Sequence, residues 1–192
     1  MSKTDWAKHH ELTKSNPPSE LLIKALEYVG HKGKAIDIGD GGLKDARYLL
    51  DQGFDVTVVD QEEQMNIAAK AVASDKLHCF VSTFADFVFK EDIFDLASAM
   101  FALPFNPPET FDAVLTNVKR SLVKGGIFCG QLFGTRDEWS NNRQMTFHTK
   151  EQVDGLFADM EVLSLVEREM DGYTADGTPK HWHLFHIIAK KL

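Results

Sequence analysis

AIDIGDGGLKDARYLL, residues 35–50, sets an apolar run directly before a glycine-rich turn and a helical pattern directly after it. The run belongs to KAIDI, residues 34–38, which reads as a strand buried on both faces because its apolar residues are nearly continuous rather than alternating. Gly39 and Gly41 let the chain bend sharply and let a ligand approach the main chain with no Cβ in the way. In an open parallel sheet, ligands bind beyond the carboxyl ends of strands, where helix N-termini expose backbone N–H groups. The turn at 39–42 is therefore the first place to look for a bound molecule.

The same alternation continues on either side. NPPSELLIKALEYVG, residues 16–30, has apolar residues at helical spacing behind two prolines and Ser19, and closes on Gly30. Strands are expected at 54–60 (FDVTVVD), 77–81 (LHCFV), 94–99 (FDLASA) and 125–133 (GGIFCGQLF), with helices at 44–52, 63–73, 108–123 and 149–160. This is the βαβ pattern of a parallel sheet with helices on both faces. EVLSLVEREM (161–170) and KHWHLFHIIAKKL (180–192) flank the turn-rich DGYTADGTP with no crossover helix, so the last strand must run antiparallel to its partner. The expected fold is a doubly wound α/β sheet of seven mostly parallel strands, in a single domain over 1–192, with 1–30 as N-terminal lid and helix and 31–192 as sheet core.

The sequence has 192 residues and a formal net charge of -8, which disfavours a sequence-independent grip on nucleic acid, since that affinity comes from clustered Lys and Arg. No stretch approaches the ~20 apolar residues of a membrane span, and the first residues have no apolar signal core, so a cytoplasmic protein with a small-molecule partner is expected. Cys79 and Cys129 lie within apolar strand-like runs and read as reduced core thiols.

Spacing separates two ligands for the turn. A dinucleotide fingerprint, G-x-G-x-x-G, needs its third glycine at 44, where the chain has Lys44; a nicotinamide-dependent reductase is disfavoured accordingly. What remains is Asp37 ending strand one, Gly39, Gly41, and Asp60 ending strand two. An acidic residue at the loop favours a ligand with a positive ammonium, and one ending strand two can accept both hydroxyls of a ribose. An amino acid joined to a nucleoside fits.

With these residues the sequence resembles the class I S-adenosylmethionine-dependent methyltransferases. AIDIGDGG is similar to their first motif, VTVVD to the second, VSTFADF to the third, FDLASAMFALPF to the fourth and LVKGGIF to the turn into the fifth strand, in the family's order. In size and layout the chain is similar to the tellurite-resistance type. The resemblance implies S-adenosylmethionine as cofactor. Asp37, Gly39, Asp40 and Gly41 would surround its methionine end, Asp60 and Gln61 its ribose, Asp86 and the backbone of Phe87 its adenine, and Ala99 would lie near the transferred methyl. Two positions depart from the family pattern: Leu43 replaces a third glycine, and Asp40 stands where a small residue is usual. They motivate the alternative of a non-catalytic member that binds the cofactor as a sensor or partner subunit.

The antiparallel last strand brings Lys180, His181, Trp182 and His183 to the rim where the parallel strands end, beside GTRDEWSNNR (134–143) and the loop carrying Phe101 and Phe105. Trp6, Phe105 and Trp139 are candidate acceptor contacts, with the N-terminal DWAKHH as a lid, and such a cluster could hold an anionic or aromatic small molecule. His181 or His183 could act as base, with Arg136 beside them, although methyl transfer to an activated nucleophile needs mainly alignment. His181 and His183 share a strand face about 7 Å apart, but no third ligand is placed and no metal is expected. NPPE, 106–109, is similar to a motif of adenine-N6 nucleic-acid methyltransferases but comes too late after strand four; its prolines more simply start a helix.

Overall fold

In the computed structural model, which describes residues 12, 13 and 15–192, strand and helix alternate as the sequence leads one to expect. The elements are α1 (Glu20–Leu26), β1 (Lys34–Ile38), α2 (Lys44–Asp51), β2 (Asp55–Asp60), α3 (Gln64–Val72), β3 (Leu77–Val81), β4 (Phe94–Ala99), α4 (Pro108–Ser121) and β5 (Leu122–Gly134). Then come β6 (Phe147–His148), α5 (Lys150–Leu156), β7 (Met160–Tyr173) and β8 (Pro179–Lys191). A 3-10 turn, Leu103–Phe105, precedes α4, whose first residue is Pro108, where a missing N–H is harmless. The N-terminal residues 1–11, including the candidate Trp6, lie outside the described residues.

The sheet runs β3-β2-β1-β4-β5-β8-β7, with β6 pairing onto β5 off this path. Pairings among β1 to β6 are parallel, and β8 is antiparallel to both β5 and β7. This is the Rossmann-like methyltransferase fold. The eighth strand, β6, escapes sequence reading because two residues carry no periodicity. The helices at 16–30 and 149–160 are shorter than expected: α1 stops at Leu26, and Met160 already belongs to β7.

Alternation along β1 divides the core. Ala35 packs with Leu22, Ala25, Ala46, Leu49 and Val56 on the side of α1 and α2, whereas Ile36 and Ile38 pack with Phe111, Val114 and Val118 of α4 on the other. The buried α4 residues recur at three- and four-residue steps, the stripe that sets its face on the sheet. α5 starts with a reciprocal cap, Gln152 donating its N–H to Thr149 Oγ1 and Thr149 donating its own to Gln152 Oε1.

The start of α2 holds the glycine turn in place. Asp40 accepts from the N–H groups of Lys44 (3.0 Å), Asp45 (2.8 Å) and Ala46 (2.9 Å), three donors that have no partner inside the helix. Leu43, directly before α2, has φ 56° and ψ 30°, the left-handed region, while its side chain is fully buried among the residues of the α1/α2 side. The left-handed backbone costs about 1–2 kcal/mol. Truncating a buried Leu costs about 2–5 kcal/mol, so burial outweighs strain and explains a Leu where the family pattern has glycine. Leu43→Ala is expected to lower unfolding stability in urea by about 2–5 kcal/mol. Leu43→Gly should also be a net loss despite its relaxed backbone; a more stable glycine variant would refute this account.

Candidate functional site

The carboxyl ends of β1, β2 and β4 converge on a cleft of about 290 Å³. Gly39 forms its floor with φ +81°, and a Cβ built there would lie 2.5 Å from Ala102 Cβ and 3.4 Å from the Phe84 ring, so both the conformation and the space exclude a side chain. On one side stand Asp60 and Gln61 at the end of β2, with Thr83, Phe84 and Ala85 after β3. On the other stand Phe101, Ala102 and Phe105 after β4, then Asn106, Pro107 and Thr110 at the start of α4.

Asp60 is 5% exposed; its Oδ1 accepts from the Glu62 N–H at 2.8 Å, and Oδ2 leaves the carboxylate a second acceptor beside the cleft. Asp37 is 1% exposed, and burial first, then the charges of Asp40 and Asp45, push its pKa well above the usual carboxylate range. Its Oδ2 has no hydrogen-bond partner; nor does Oγ of the fully buried Ser98, the residue paired with Asp37 across β1 and β4. The one ammonium in this cluster, that of Lys44, lies 3.6 Å from Asp45, so the buried Asp37 carboxyl has two carboxylates beside it and no ion-pair partner of its own among the described residues.

Of the residues singled out from sequence, Gly39, Asp60, Gln61, Phe101 and Phe105 meet in the cleft. Asp37 and Gly41 are buried at the turn outside its lining. Asp40 is turned away to cap α2, so its charge lies on helix amides. Asp86 is exposed and bonded to Thr83, whose Oγ1 donates to its Oδ2 at 2.6 Å, and Phe87 packs edge-on against Phe80 and Phe89. The cleft is lined instead by Thr83 to Ala85, three residues upstream. Ala99 is fully buried inside β4 and does not line the cleft, whereas Phe101 and Ala102 after the strand do. Thr83, Phe84, Ala85, Ala102, Asn106, Pro107 and Thr110 were not legible as lining residues; the one signal was that their loops follow strand ends.

His181, His183 and Arg136 stand apart from the cleft. Alternation along β8 sends both histidines toward the carboxylates of β7. His183, 1% exposed, accepts from the Arg136 N–H at Nδ1 (3.1 Å), and its Nε2 faces Glu167 at 2.8 Å, an arrangement that assigns the proton to Nε2 and leaves no ring nitrogen free. His181 faces Asp171 (2.7 Å) and Glu169 (3.2 Å), which raise its pKa in that order. The Arg136 guanidinium is held by Glu167 and Glu169, each at 2.8 Å. Cys129 is buried and Cys79 half-buried, and burial raises both thiol pKa values.

Residues 35–126 match the family model described as a methyltransferase domain. This stretch, which runs from β1 into β5, is similar to a methyltransferase domain. Among solved structures it is similar to TehB from Haemophilus influenzae, with TM-score 0.73 and 15% identity over 89% of this chain and 61% of that one. The chain thus spans about three fifths of the length of TehB. NodS, an N-methyltransferase from Bradyrhizobium japonicum WM9 in complex with S-adenosyl-L-homocysteine, gives 0.69 at 15% identity over 97% of both chains. A 1,6-didemethyltoxoflavin-N1-methyltransferase from Burkholderia thailandensis gives 0.64 at 17% identity over 90% of this chain and 78% of that one. Among curated proteins none matches the sequence. No helix among the described residues is long and apolar enough to cross a membrane.

The raised pKa of Asp37 makes a signed prediction. Because the folded-state value lies above the unfolded one of about 3.9, keeping this group buried becomes steadily less favourable as pH rises from about 4. Asp37→Asn should therefore unfold at higher urea than the parent at pH 7, with the gain shrinking to nothing near pH 4. A gain independent of pH would contradict the assignment.

Proposed function

We propose that the chain transfers a methyl group from S-adenosylmethionine to a small-molecule acceptor bound at the Phe101 and Phe105 end of the cleft. The observation that carries this reading is the cleft itself, floored by a glycine that tolerates no side chain, with a carboxylate at one end and aromatic rings at the other. The cofactor supplies a methyl carbon made electrophilic by its sulfonium.

The chain's residues do the rest. Asp60 accepts from ribose hydroxyls with its free oxygen, Gln61 and the backbone of Thr83 to Ala85 enclose the base, and Gly39 lets the methionine portion lie against the main chain. Asp37 and Ser98, the two orphaned groups beneath the turn, answer the cofactor's ammonium. Phe101 and Ala102 close the methyl end and exclude water, and transfer then depends on lining up acceptor, carbon and sulfur. No histidine takes part as base. Asp40 and Leu43, which motivate a non-catalytic sensor, both serve the fold, which supports the enzymatic reading over that alternative. The acidic net charge supports a small molecule over a nucleic acid.

Two measurements test this. Gly39→Ala should abolish detectable binding of S-adenosylhomocysteine in calorimetry, and Asp60→Ala should weaken it by about 10- to 100-fold, the loss of one charged hydrogen-bond acceptor. Incubation with methyl-labelled cofactor should place label in the small-molecule fraction of a cell extract; label confined to protein or nucleic acid would overturn the acceptor class.

A further inference from the structure

Between the cleft and β8 stands a continuous group of aromatic rings. Phe101 and Phe105 belong to the cleft; Phe101 meets Trp182 edge-to-face at 5.8 Å and 68°, Phe105 meets Trp139 at 6.2 Å, and the two indoles are 5.6 Å apart. The ring of Phe133 is buried behind all four. Phe101 is 41% exposed on a left-handed backbone of φ 52°, a strained conformation that its N–H bond to Gln131 Oε1 (3.1 Å) helps to hold.

The wall is exposed at Phe101 and half-buried at Phe105, Trp139 and Trp182; such a wall attracts cations, anions at its rim, or other rings, and the structure distinguishes among them. The chain's own Lys180 ammonium, with its side chain 1% exposed, sits 3.8 Å from the Trp182 ring centroid and 4.3 Å from that of Trp139, so this cation-π position is already filled. Asp137, whose side chain is fully buried, pairs with that ammonium and also accepts the N–H groups of Trp139 (3.0 Å) and His183 (3.2 Å), which fixes the loop after β5 onto β8. Arg136 at the same rim is held by Glu167 and Glu169. Both cations are thus committed to the protein's own carboxylates, and what the wall has left to offer is ring edges and faces held rigid in advance.

The geometry points to a flat, uncharged aromatic or heteroaromatic molecule as the methyl acceptor, held by Phe101, Phe105, Trp139 and Trp182. This inference rests on the methyltransferase reading above. Trp139 and Trp182 set specificity by contact, and Asp137 and Lys180 are positioning residues that keep the wall in place.

Calorimetry on the full chain saturated with S-adenosylhomocysteine tests it with four probes: quinoline, cyclohexylmethanol, tetramethylammonium and naphthalene-2-carboxylate. Quinoline is expected to bind at least about tenfold more tightly than each of the others. Trp139→Leu and Trp182→Leu should each weaken quinoline about tenfold, the loss of one aromatic contact. Trp182→Phe should restore it to within about threefold, and S-adenosylhomocysteine affinity should stay within about twofold throughout, which shows that the variants fold. Equal or tighter binding of the ammonium, the carboxylate or the saturated alcohol, or leucine variants that bind quinoline unchanged, would overturn the acceptor class while leaving the methyltransferase reading intact. Failure of the unsubstituted chain to bind S-adenosylhomocysteine would instead sink the reading beneath it.

Discussion

The approach of Gly39 to Ala102 is the contact on which the site depends. β1 must end, turn and enter α2 within five residues, and it does so with a positive φ at Gly39 and no Cβ between the turn and the loop after β4. Asp40 makes that turn affordable by satisfying three amides of α2 at once, and Leu43 pins its far end into the core. The turn is therefore braced from below by packing and from the side by a carboxylate, and its upper surface stays open.

Charge beneath the turn is unbalanced by design of the fold. Asp37, Asp40 and Asp45 lie together with Ser98; Asp40 is held by the helix amides, and Asp45 by the N–H and hydroxyl of Ser19 at 2.7 and 2.6 Å and the Lys44 ammonium at 3.6 Å, whereas Oδ2 of Asp37 has no partner. Asp37 keeps an orphaned oxygen at a cost in stability. The opposite policy holds at the rim near β8. There Lys180, Arg136, His181 and His183 are all matched with carboxylates, and the aromatic rings beside them are half-buried, with Phe101 exposed at the cleft.

Particular residues show how far the sequence could be read. The strands KAIDI, LHCFV and FDLASA appear at their expected bounds because continuous apolar runs between turn signals leave little choice. Gly39, Asp60 and Gln61 were legible because they sit at strand ends, where chain direction alone decides that they face the rim. Asp86 was not: the loop after β3 places Thr83 to Ala85 at the cleft, and a residue count along a loop does not determine its path. The histidines failed for another reason. Their spacing of two puts them on one face of β8, yet which face that is depends on the register with β7, where Glu167, Glu169 and Asp171 wait.

By itself the sequence determined the order of elements, the direction of the last strand, the location of the glycine turn and the kind of cofactor such a turn with Asp37 and Asp60 suits. The first three follow from local periodicity and backbone sterics, which act within a few residues, and the cofactor from the family resemblance that these motifs carry. Only the tertiary structure decided that Asp40 faces the helix rather than the ligand, that His183 is closed by Arg136 and Glu167, and that Lys180 fills the tryptophan cage itself. Each of those outcomes depends on a partner supplied by another element, in one case 47 positions away, and pairing across that distance is set by sheet register and packing.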